Sequence, residues 1–527
     1  MRIVAETIQQ QLRERLDEPA IAVRSGDQQH SWRDHLSAAT TQAAALLGIA
    51  DDTRPLHIGA LLGNTPDMLT AMAAAGLGGY VLCGINSTRR GAALARDITH
   101  ADCQILLTDA DHRDLLAGLE LPGVRVFDVS TEEWTQLLAG AGPLTPYLEV
   151  GPMDTFMLIF TSGTSCDPKA VRVPHVAVLV SGAALVQRFT MTADDVCYLS
   201  MPLFHSNALM AGWSVAVASG AAMVPTAFSA SGLVDDLRRY GVTYMNYVGK
   251  PLTYVLATPE RPDDADNPLR VAFGNEAGDR DIAEFGRRFG CAVWDGFGST
   301  EGAVIVTREP GCPPGSIGRG FPGVAIYNRD TGQECPTAQF DANGALTNAD
   351  TATGELVNTA GAGLFQGYYN DETATNDRLR DGIYWSGDLA YQDRDGWIYL
   401  AGRTADWMRV DGENMATAPI ERILLRHPGI SQVSVYAVPD ENVGDQVMAA
   451  IVPRPDYRLA PAALEEFLSE QADLSPKARP RYVWLTDALP ATATNKVLKR
   501  ELVASGTAVT GGRLWVRAAR GTTYTEA

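Results

Sequence analysis

The stretch TSGTSCDPKAV, residues 161–171, follows the apolar run Phe156-Met157-Leu158-Ile159-Phe160. Its hydroxyl residues are Thr161, Ser162, Thr164 and Ser165, set around Gly163 and followed by Lys169. An apolar strand ending in a glycine-and-hydroxyl loop is a phosphate-holding pattern. The glycine lets backbone amides come close, hydroxyls donate to phosphate oxygens, and a lysine supplies charge. The nucleotide-triphosphatase loop is excluded, because it needs Gly-Lys-Ser/Thr. Here Pro168 precedes Lys169 and Ala170 follows it.

Outward from this loop, the first 150 residues alternate apolar strands with helical segments. LHIGALL, YVLCGI and CQILLT read as buried strands, PDMLTAMAAAGLGG as a helix, and Gly91–His100 as a helix with one polar face. The same rhythm returns over 242–248 and 269–273. Such alternation predicts parallel sheets covered by helices. After Tyr384 the character changes. LAYQDRDGWIYLAG reads as two short strands around the turn at 393–396. APIERILLRHPG reads as an amphipathic helix with Ile420, Ile423 and Leu424 on one face, stopped by Gly429. QVSVYAVPD and QVMAAIVPR follow as strands, and the tail after Val503 is expected to be loosely held. The fold class is therefore α/β. A large N-terminal domain of helix-covered sheets, residues 1–402, precedes a small α+β domain, residues 403–527.

The chain length of 527 residues also calls for more than one domain. A net charge of −20, from 43 basic and 63 acidic residues, argues against a nucleic-acid partner. Seven cysteines without a C-x-x-C pair argue against a zinc site or a disulfide framework and favour a reducing cytoplasm. The N-terminal residues mix charges throughout and lack the apolar core of a signal peptide. Residues 206–234 carry no charge, but Gly212, Gly220 and Pro225 divide them. A buried helix followed by a buried strand explains them better than a membrane span.

Lysine occurs only at 169, 250, 477, 496 and 499, among many arginines. A retained lysine is thus informative, and Lys169 and Lys496 sit where a phosphate-handling enzyme wants a compact cation on a flexible stem. WDGFGSTEG, residues 294–302, offers Phe297 for stacking on a purine, Thr300 for a phosphate and Glu301 for a magnesium ion. YWSGDLA places Asp388 after a tight Ser-Gly turn, where a carboxylate can accept both hydroxyls of a ribose. Arg403 and the turn 411–414 follow.

In this order and spacing these motifs resemble the adenylate-forming superfamily, and PLFHSNA with the overall length looks most like actinobacterial acyl-CoA ligases for fatty and steroid-derived acids. The resemblance runs from about residue 24 to 503. It implies ATP (or a supplied acyl-adenylate), Mg2+ and coenzyme A as cofactors, with a carboxylic acid as substrate. It further implies that Gly274, Asn275, Glu276, Ala277 and Phe297, with Gly298 and Ser299, line the nucleotide site. Asp388 and Arg403 would hold the ribose. Thr161, Ser162, Gly163, Thr164, Ser165 and Lys169 would cradle phosphates with Thr300, and Glu301 would bind the metal. Lys496 would act in adenylation, while Gly412, Glu413 and Asn414 would face the pantetheine. His205, beside Phe204, would shape the acyl and thiol tunnels.

Candidate acyl-site residues are Asn207, Ala208, Ala211, Gly212, Tyr247, Val248 and Gly249. Most are small, which suits a wide, rigid acid such as a steroid or polycyclic terpenoid. A homodimer and a separate adenylating enzyme are the further partners this reading admits.

The sequence also departs from the family. Ser165-Cys166 stands for Thr-Gly, Lys169-Ala170 for Lys-Gly, Asn495 for a glycine, and Ala405 for the polar hinge residue. A side chain forced into a glycine conformation costs about 1 kcal/mol or more. The loop changes fall on the pyrophosphate half of the reaction. Two alternatives to an ordinary ligase follow: an enzyme that mainly thioesterifies a supplied adenylate, and a catalytically silent acyl- or nucleotide-binding protein.

Overall fold

The computed structural model describes residues 5–161, 168–249, 251–342, 344, 346–403, 407–410, 413–440, 444–455, 457–471, 473–492, 497–518 and 521–527. Residues 403, 407, 409, 413, 414 and 444 are described in backbone only. The chain forms two compact units, Met1–Ala303 with Ala362–Asp377, and Val304–Gly361 with Arg378–Ala527.

The first unit holds two sheets. In the first, the strands run in the order Arg125–Asp128, Ile105–Thr108, His57–Leu61, Val81–Gly84, Thr155–Thr161 and Lys169–Pro174. All are parallel except the last, which pairs antiparallel with Thr155–Thr161 and sets Thr161 opposite Lys169. Residues 162–165 of the expected phosphate loop lie outside the described residues, but the ladder closes on either side of them. His57–Leu61 and Ile105–Thr108 are buried along their whole length. Helix-covered parallel strands lose both faces to the core, and their sequences read as unbroken apolar runs.

The second sheet contains, in order, Ala292–Gly298, Val271–Asn275, Tyr244–Val248, Val196–Leu199, Ala222–Pro225 and Ile21–Ser25, all parallel, then Gln28–Ser31 antiparallel. The strand expected over 269–273 lies at Val271–Asn275. From Val196–Leu199 the chain passes first to the neighbour on one side and then to the neighbour on the other. That reversal makes its carboxyl end a topological switch point, where open α/β sheets form a crevice.

The uncharged run 206–234 is a buried helix followed by the strand Ala222–Pro225. Among the described residues no helix is long and apolar enough to cross a membrane. The helix contains a wider π turn over Leu209–Trp213. A π turn leaves carbonyls short of donors, and two side chains supply them here. Ser214 Oγ donates to the Met210 carbonyl at 2.6 Å, and the buried Tyr244 hydroxyl to the Ala211 carbonyl at 2.7 Å.

The segment Ala362–Asp377 closes the first unit across the outer edge of Lys169–Pro174. The Tyr369 amide donates to the Ala170 carbonyl at 2.7 Å, and the Arg172 amide to the Gly367 carbonyl at 3.2 Å. The Tyr369 hydroxyl donates to Asp102 at 2.9 Å. Ala170 is thus a strand residue, fully buried, and it is absent from the residues of positive φ. The strain expected for alanine at this position does not arise: its methyl group packs into the core, where a glycine would leave a gap.

The second unit also holds two sheets. One has Val324–Tyr327, Gly354–Asn358, Ile383–Gln392 and Leu379–Arg380 in order, with Ile398–Arg403 paired to Ile383–Gln392. The expected hairpin is present, closed by the Gly396 amide on the Asp393 carbonyl at 3.1 Å. The other is seven-stranded and carries Ile430–Asp440 against Gly444–Pro453. In chain order Ile398–Arg403 is the last strand of the first of these sheets and Trp407–Val410 the first strand of the other.

Two expectations are corrected in this unit. The helix Thr417–Leu424 buries Ile420, Ile423 and Leu424 but ends before Gly429. Gly429 instead gives room to the Tyr457 ring, which a β-carbon there would meet at 2.1 Å. The tail after Val503 is not loose. Arg513–Arg517 and Tyr524–Glu526 extend the seven-stranded sheet and bury Trp515 and Tyr524 in its core. Two large aromatic rings hold this tail against its few apolar neighbours in sequence.

Candidate functional site

Four neighbouring parallel strands of the second sheet end on the same side, at Leu199, Val248, Asn275 and Gly298. Most of the first unit's candidate residues lie in, or just after, these ends. Phe204 and His205 follow Leu199, with ring centroids 6.4 Å apart. Gly249 follows Val248, Glu276 and Ala277 follow Asn275, and Ser299, Thr300 and Glu301 follow Gly298.

The loop after Asn275 is held firmly. Gly274 packs so tightly that a β-carbon would meet the Tyr247 carbonyl at 2.2 Å, so only glycine fits. Glu276 is left-handed at φ +66°, a conformation that non-glycine residues adopt chiefly at turns and functional sites. The loop is anchored from beneath by Asp295. Its carboxylate accepts the Ala277 amide at 3.0 Å and the Tyr247 hydroxyl at 3.0 Å. That hydroxyl also lies 3.1 Å from the Trp294 carbonyl. The Gly249 amide donates to the Asn275 carbonyl at 2.7 Å.

The GSTE segment is tied in two directions. Thr300 Oγ1 donates to Ser206 Oγ at 2.9 Å, joining it to the helix start that carries Asn207. Glu301 Oε1 accepts the Tyr368 hydroxyl at 2.8 Å, and Lys169 Nζ sits 5.0 Å from the centre of the Tyr368 ring. Lys169, Tyr368 and Glu301 therefore form one connected group. It places a cation, a phenol and a carboxylate together beside the closed end of the Thr161–Lys169 ladder. The Oε2 of Glu301 is a hard anionic oxygen of the type magnesium takes.

Of the acyl-site candidates, Ala208 and Tyr247 have no exposed surface, and Ala211 has 4%. Gly212 packs against Leu199 and Asn246, where a β-carbon would stand 2.8 and 2.9 Å from its neighbours. These four are core residues in this conformation. Asn207, Val248 and Gly249 are nearer the strand ends.

In the second unit Asp388 and Arg403 face each other across the Ile383–Gln392 and Ile398–Arg403 ladder. The expected tight Ser-Gly turn is instead part of a strand. Gly387 at φ +77° kinks that strand, and its amide donates to the buried Glu355 carboxylate at 2.7 Å. The kink frees the Asp388 amide to take Ser386 Oγ at 3.1 Å. Lys499 is pinned between Thr417 at 2.7 Å and Glu421 at 3.0 Å, a structural tie. Ser162, Gly163, Thr164, Ser165, Cys166, Ala405, Gly412 and Lys496 lie outside the described residues, as do the side chains of Arg403, Glu413 and Asn414.

Three residues of this region escape a reading of the sequence. Tyr368 belongs to a segment with no motif. Asn64 follows the first sheet's His57–Leu61 strand. Its amide donates to the carbonyls of Leu199, Met201 and Thr226 at 3.0, 2.8 and 3.2 Å, while its Oδ1 accepts the Leu203 amide at 3.1 Å. It thus fixes the loop that leads to His205. Asn246, fully buried in Tyr244–Val248, donates to Asn207 Oδ1 at 2.7 Å. Its one legible signal is a polar residue inside the apolar run YMNYV.

Residues 8–369 match the AMP-binding enzyme family, and residues 419–496 match the AMP-binding enzyme C-terminal domain. The chain is 52% identical to a medium/long-chain-fatty-acid–CoA ligase, FadD17, of Mycobacterium marinum, over 90% of this chain and 92% of that one. It is 43% identical to a steroid-22-oyl-CoA synthetase of Rhodococcus jostii, over 95% and 91%. Among solved structures, the fold matches ATP-bound MatB from Rhodopseudomonas palustris with a TM-score of 0.82 and 22% identity, over 95% of this chain and 99% of that one. It matches the anthranilate CoA ligase AuaEII bound to anthranoyl-AMP with a TM-score of 0.83 and 18% identity, over 95% and 98%. The chain belongs to the AMP-binding enzymes of the adenylate-forming superfamily, and within them to the acyl-CoA ligases.

Proposed function

We propose that this chain converts a long or bulky apolar carboxylic acid into its coenzyme A thioester through an acyl-adenylate. A carboxylate oxygen attacks the α-phosphorus of ATP and pyrophosphate leaves. The thiol of coenzyme A then attacks the acyl carbon and AMP leaves. The observation that carries this reading is the convergence of the Asp295-anchored loop 274–277, the Thr300–Ser206 tie and the Lys169–Tyr368–Glu301 group at one end of four parallel strands.

In this reading residues 274–277 and Phe297 take the adenine, and Asp388 with Arg403 takes the ribose. Lys169 meets the outer phosphates with the loop 161–165. Lys496 neutralises charge while pyrophosphate departs, and His205 borders the path of acid and thiol. Gly412, Glu413 and Asn414 face the pantetheine from residues 403–527, the domain expected to rotate between the two steps. Magnesium, when bound, supplies positive charge to the phosphates, and Glu301 is the residue that would hold it. Tyr368 orients that carboxylate by fixing Oε1.

The class of acid rests on relatives named for fatty-acid and steroid-22-oyl substrates. A ring system of steroid or polycyclic terpenoid width is the finer proposal, resting on the steroid-22-oyl relative and on Gly249 at the strand end, since Ala208, Ala211 and Gly212 are core residues. A chain that mainly thioesterifies a supplied adenylate loses its argument at Ala170, which is an unstrained strand residue. That alternative rests on Cys166 and Ala405 alone.

The test is incubation with ATP, coenzyme A and either palmitate or a steroid side-chain acid, followed by mass spectrometry for acyl-AMP and acyl-CoA. A parallel arm supplies preformed acyl-adenylate in place of acid and ATP. Acyl-CoA from both arms supports a complete ligase, and product from the adenylate arm alone supports the half-reaction enzyme. No thioester from either acid in either arm sinks the proposal.

A further inference from the structure

A chain of amides runs from Asn246 on the strand Tyr244–Val248 through Asn207 at the helix start 206–208 to Asn275 at the end of Val271–Asn275. Asn246 Nδ2 donates to Asn207 Oδ1 at 2.7 Å. Asn207 Nδ2 donates to Asn275 Oδ1 at 3.0 Å and to the Tyr247 carbonyl at 3.2 Å. Asn275 Nδ2 donates to the Gly296 carbonyl at 2.8 Å.

Backbone carbonyls only accept. Gly296 therefore fixes which way the Asn275 amide points, and Tyr247 fixes Asn207. The relay has one direction, from Asn246 through Asn207 and Asn275 to the strand Ala292–Gly298. Asn246 has no exposed surface, and Asn207 is 9% exposed. In such surroundings each amide polarises the next, and one reversed member leaves acceptor facing acceptor.

We propose that Asn246 is a positioning residue. Through Asn207 and Asn275 it sets the helix start at 206–208 against the nucleotide loop 274–277, so that the acid and the nucleotide are held in one register. This rests on the nucleotide reading of residues 274–277 given above. Asn246 itself has no exposed surface, which is why its role is positioning rather than direct contact. The strand's alternation explains its place. Tyr244 and Asn246 point to one face and hold the π-turn helix, while Tyr247 points to the other and holds Asp295. Gly212 belongs to the same device, since a β-carbon there would come within 2.9 Å of Asn246 Oδ1.

The test is calorimetric ATP binding to the whole chain carrying Asn246→Leu, Asn246→Asp, Asn207→Ala, or Asn246→Leu with Asn207→Ala, alongside thermal melting. Aspartate keeps the size of asparagine but has no N–H to give. It forces Asn207 to turn and present oxygen to Tyr247 and Asn275. Each single variant is expected to weaken ATP binding about three- to tenfold, the effect of one lost buried hydrogen bond. The double variant is expected to be no weaker than the worse single one, because one relay is broken either way.

A purely structural role would lower the melting temperature and leave the ATP affinity of folded protein within twofold of the parent; that result overturns the proposal. Multiplying effects in the double variant overturn it too. Where the Asn246 variants do not fold, Asn207→Ala reads the same relay from its less buried member, and unchanged ATP affinity there is equally fatal. A parent chain that binds no ATP refutes the nucleotide reading itself, and the positioning role falls with it.

Discussion

Tyr247→Phe removes one oxygen atom from beneath the loop 274–277. The ring stays, so no cavity forms, and the change isolates the hydroxyl. That hydroxyl belongs to a residue with no exposed surface and lies 3.0 Å from the Asp295 carboxylate and 3.1 Å from the Trp294 carbonyl. A hydrogen bond to a charged group contributes about 1.5–3 kcal/mol, and a buried partner left short of a donor bears its desolvation cost. The predicted loss is therefore about 2 kcal/mol. Part of it appears as a lower urea midpoint with an unchanged slope.

The rest appears at the loop. Asp295 also receives the Ala277 amide, and a carboxylate that loses one donor turns toward water or its remaining partners. The loop then loses its fixed height, and ATP affinity falls about three- to tenfold. The assay pairs a urea melt with calorimetric ATP titration, parent against variant. A midpoint and an ATP affinity both indistinguishable from the parent would refute the claim that Asp295 anchors this loop through Tyr247. A lower midpoint with unaltered affinity would leave the anchor structural only.

Lys496→Ala should abolish pyrophosphate release while largely sparing thioester formation from supplied adenylate; equal loss in both assays counts against its role. Asp388→Ala should weaken AMP and acyl-adenylate alike by about 1.5–3 kcal/mol, roughly 10- to 150-fold, since both present the same ribose. Unchanged calorimetric affinities would remove Asp388 from the ribose site.

Acid should destabilise the first unit through two buried histidines. Burial lowers both His35 and His175 to about 4, with His30 adding to the effect at His35 and Asp154 opposing it at His175. Between pH 6.5 and 4 the unfolded chain binds the extra protons. The stability is therefore complete above 6.5 and lost as pH falls, by up to about 3 kcal/mol per residue. The melting temperature should drop by several degrees from pH 7 to 5, and His175→Leu should flatten that drop. A flat profile in the parent contradicts the assignment.

What was legible in the sequence follows physical lines. Gly91–His100 and the buried strands could be read because burial of one or both faces writes an unbroken local pattern. The GSTE segment could be read because its residue types are chemically restricted. The Leu209–Trp213 π turn could not, because its carbonyls are met by Tyr244, more than a full strand and helix away. Asn64 and Asn246 share that difficulty: each is an ordinary asparagine until the fold brings its partners. Gly387 reads locally as a turn, and only the buried Glu355 explains why it kinks a strand instead. At Ala170 the family resemblance implies a glycine position. The pairing of Phe160 with Ala170, and the Tyr369 amide on the Ala170 carbonyl, make it a buried strand residue that alanine fits.

The segment Ala362–Asp377 has a consequence for how the protein is made. Lys169–Pro174 leaves the ribosome about two hundred residues before Tyr369 does, which at 5–20 residues per second is about ten to forty seconds. Throughout that interval the outer edge of the strand has no covering, and Val171 and Val173 sit beside unpaired backbone groups of the kind that recruit another nascent chain. The larger unit of this protein is therefore finished late, after every strand from Val196–Leu199 to Ala292–Gly298 has been synthesised. Slow translation or scarce holding chaperones should cost yield at this edge first.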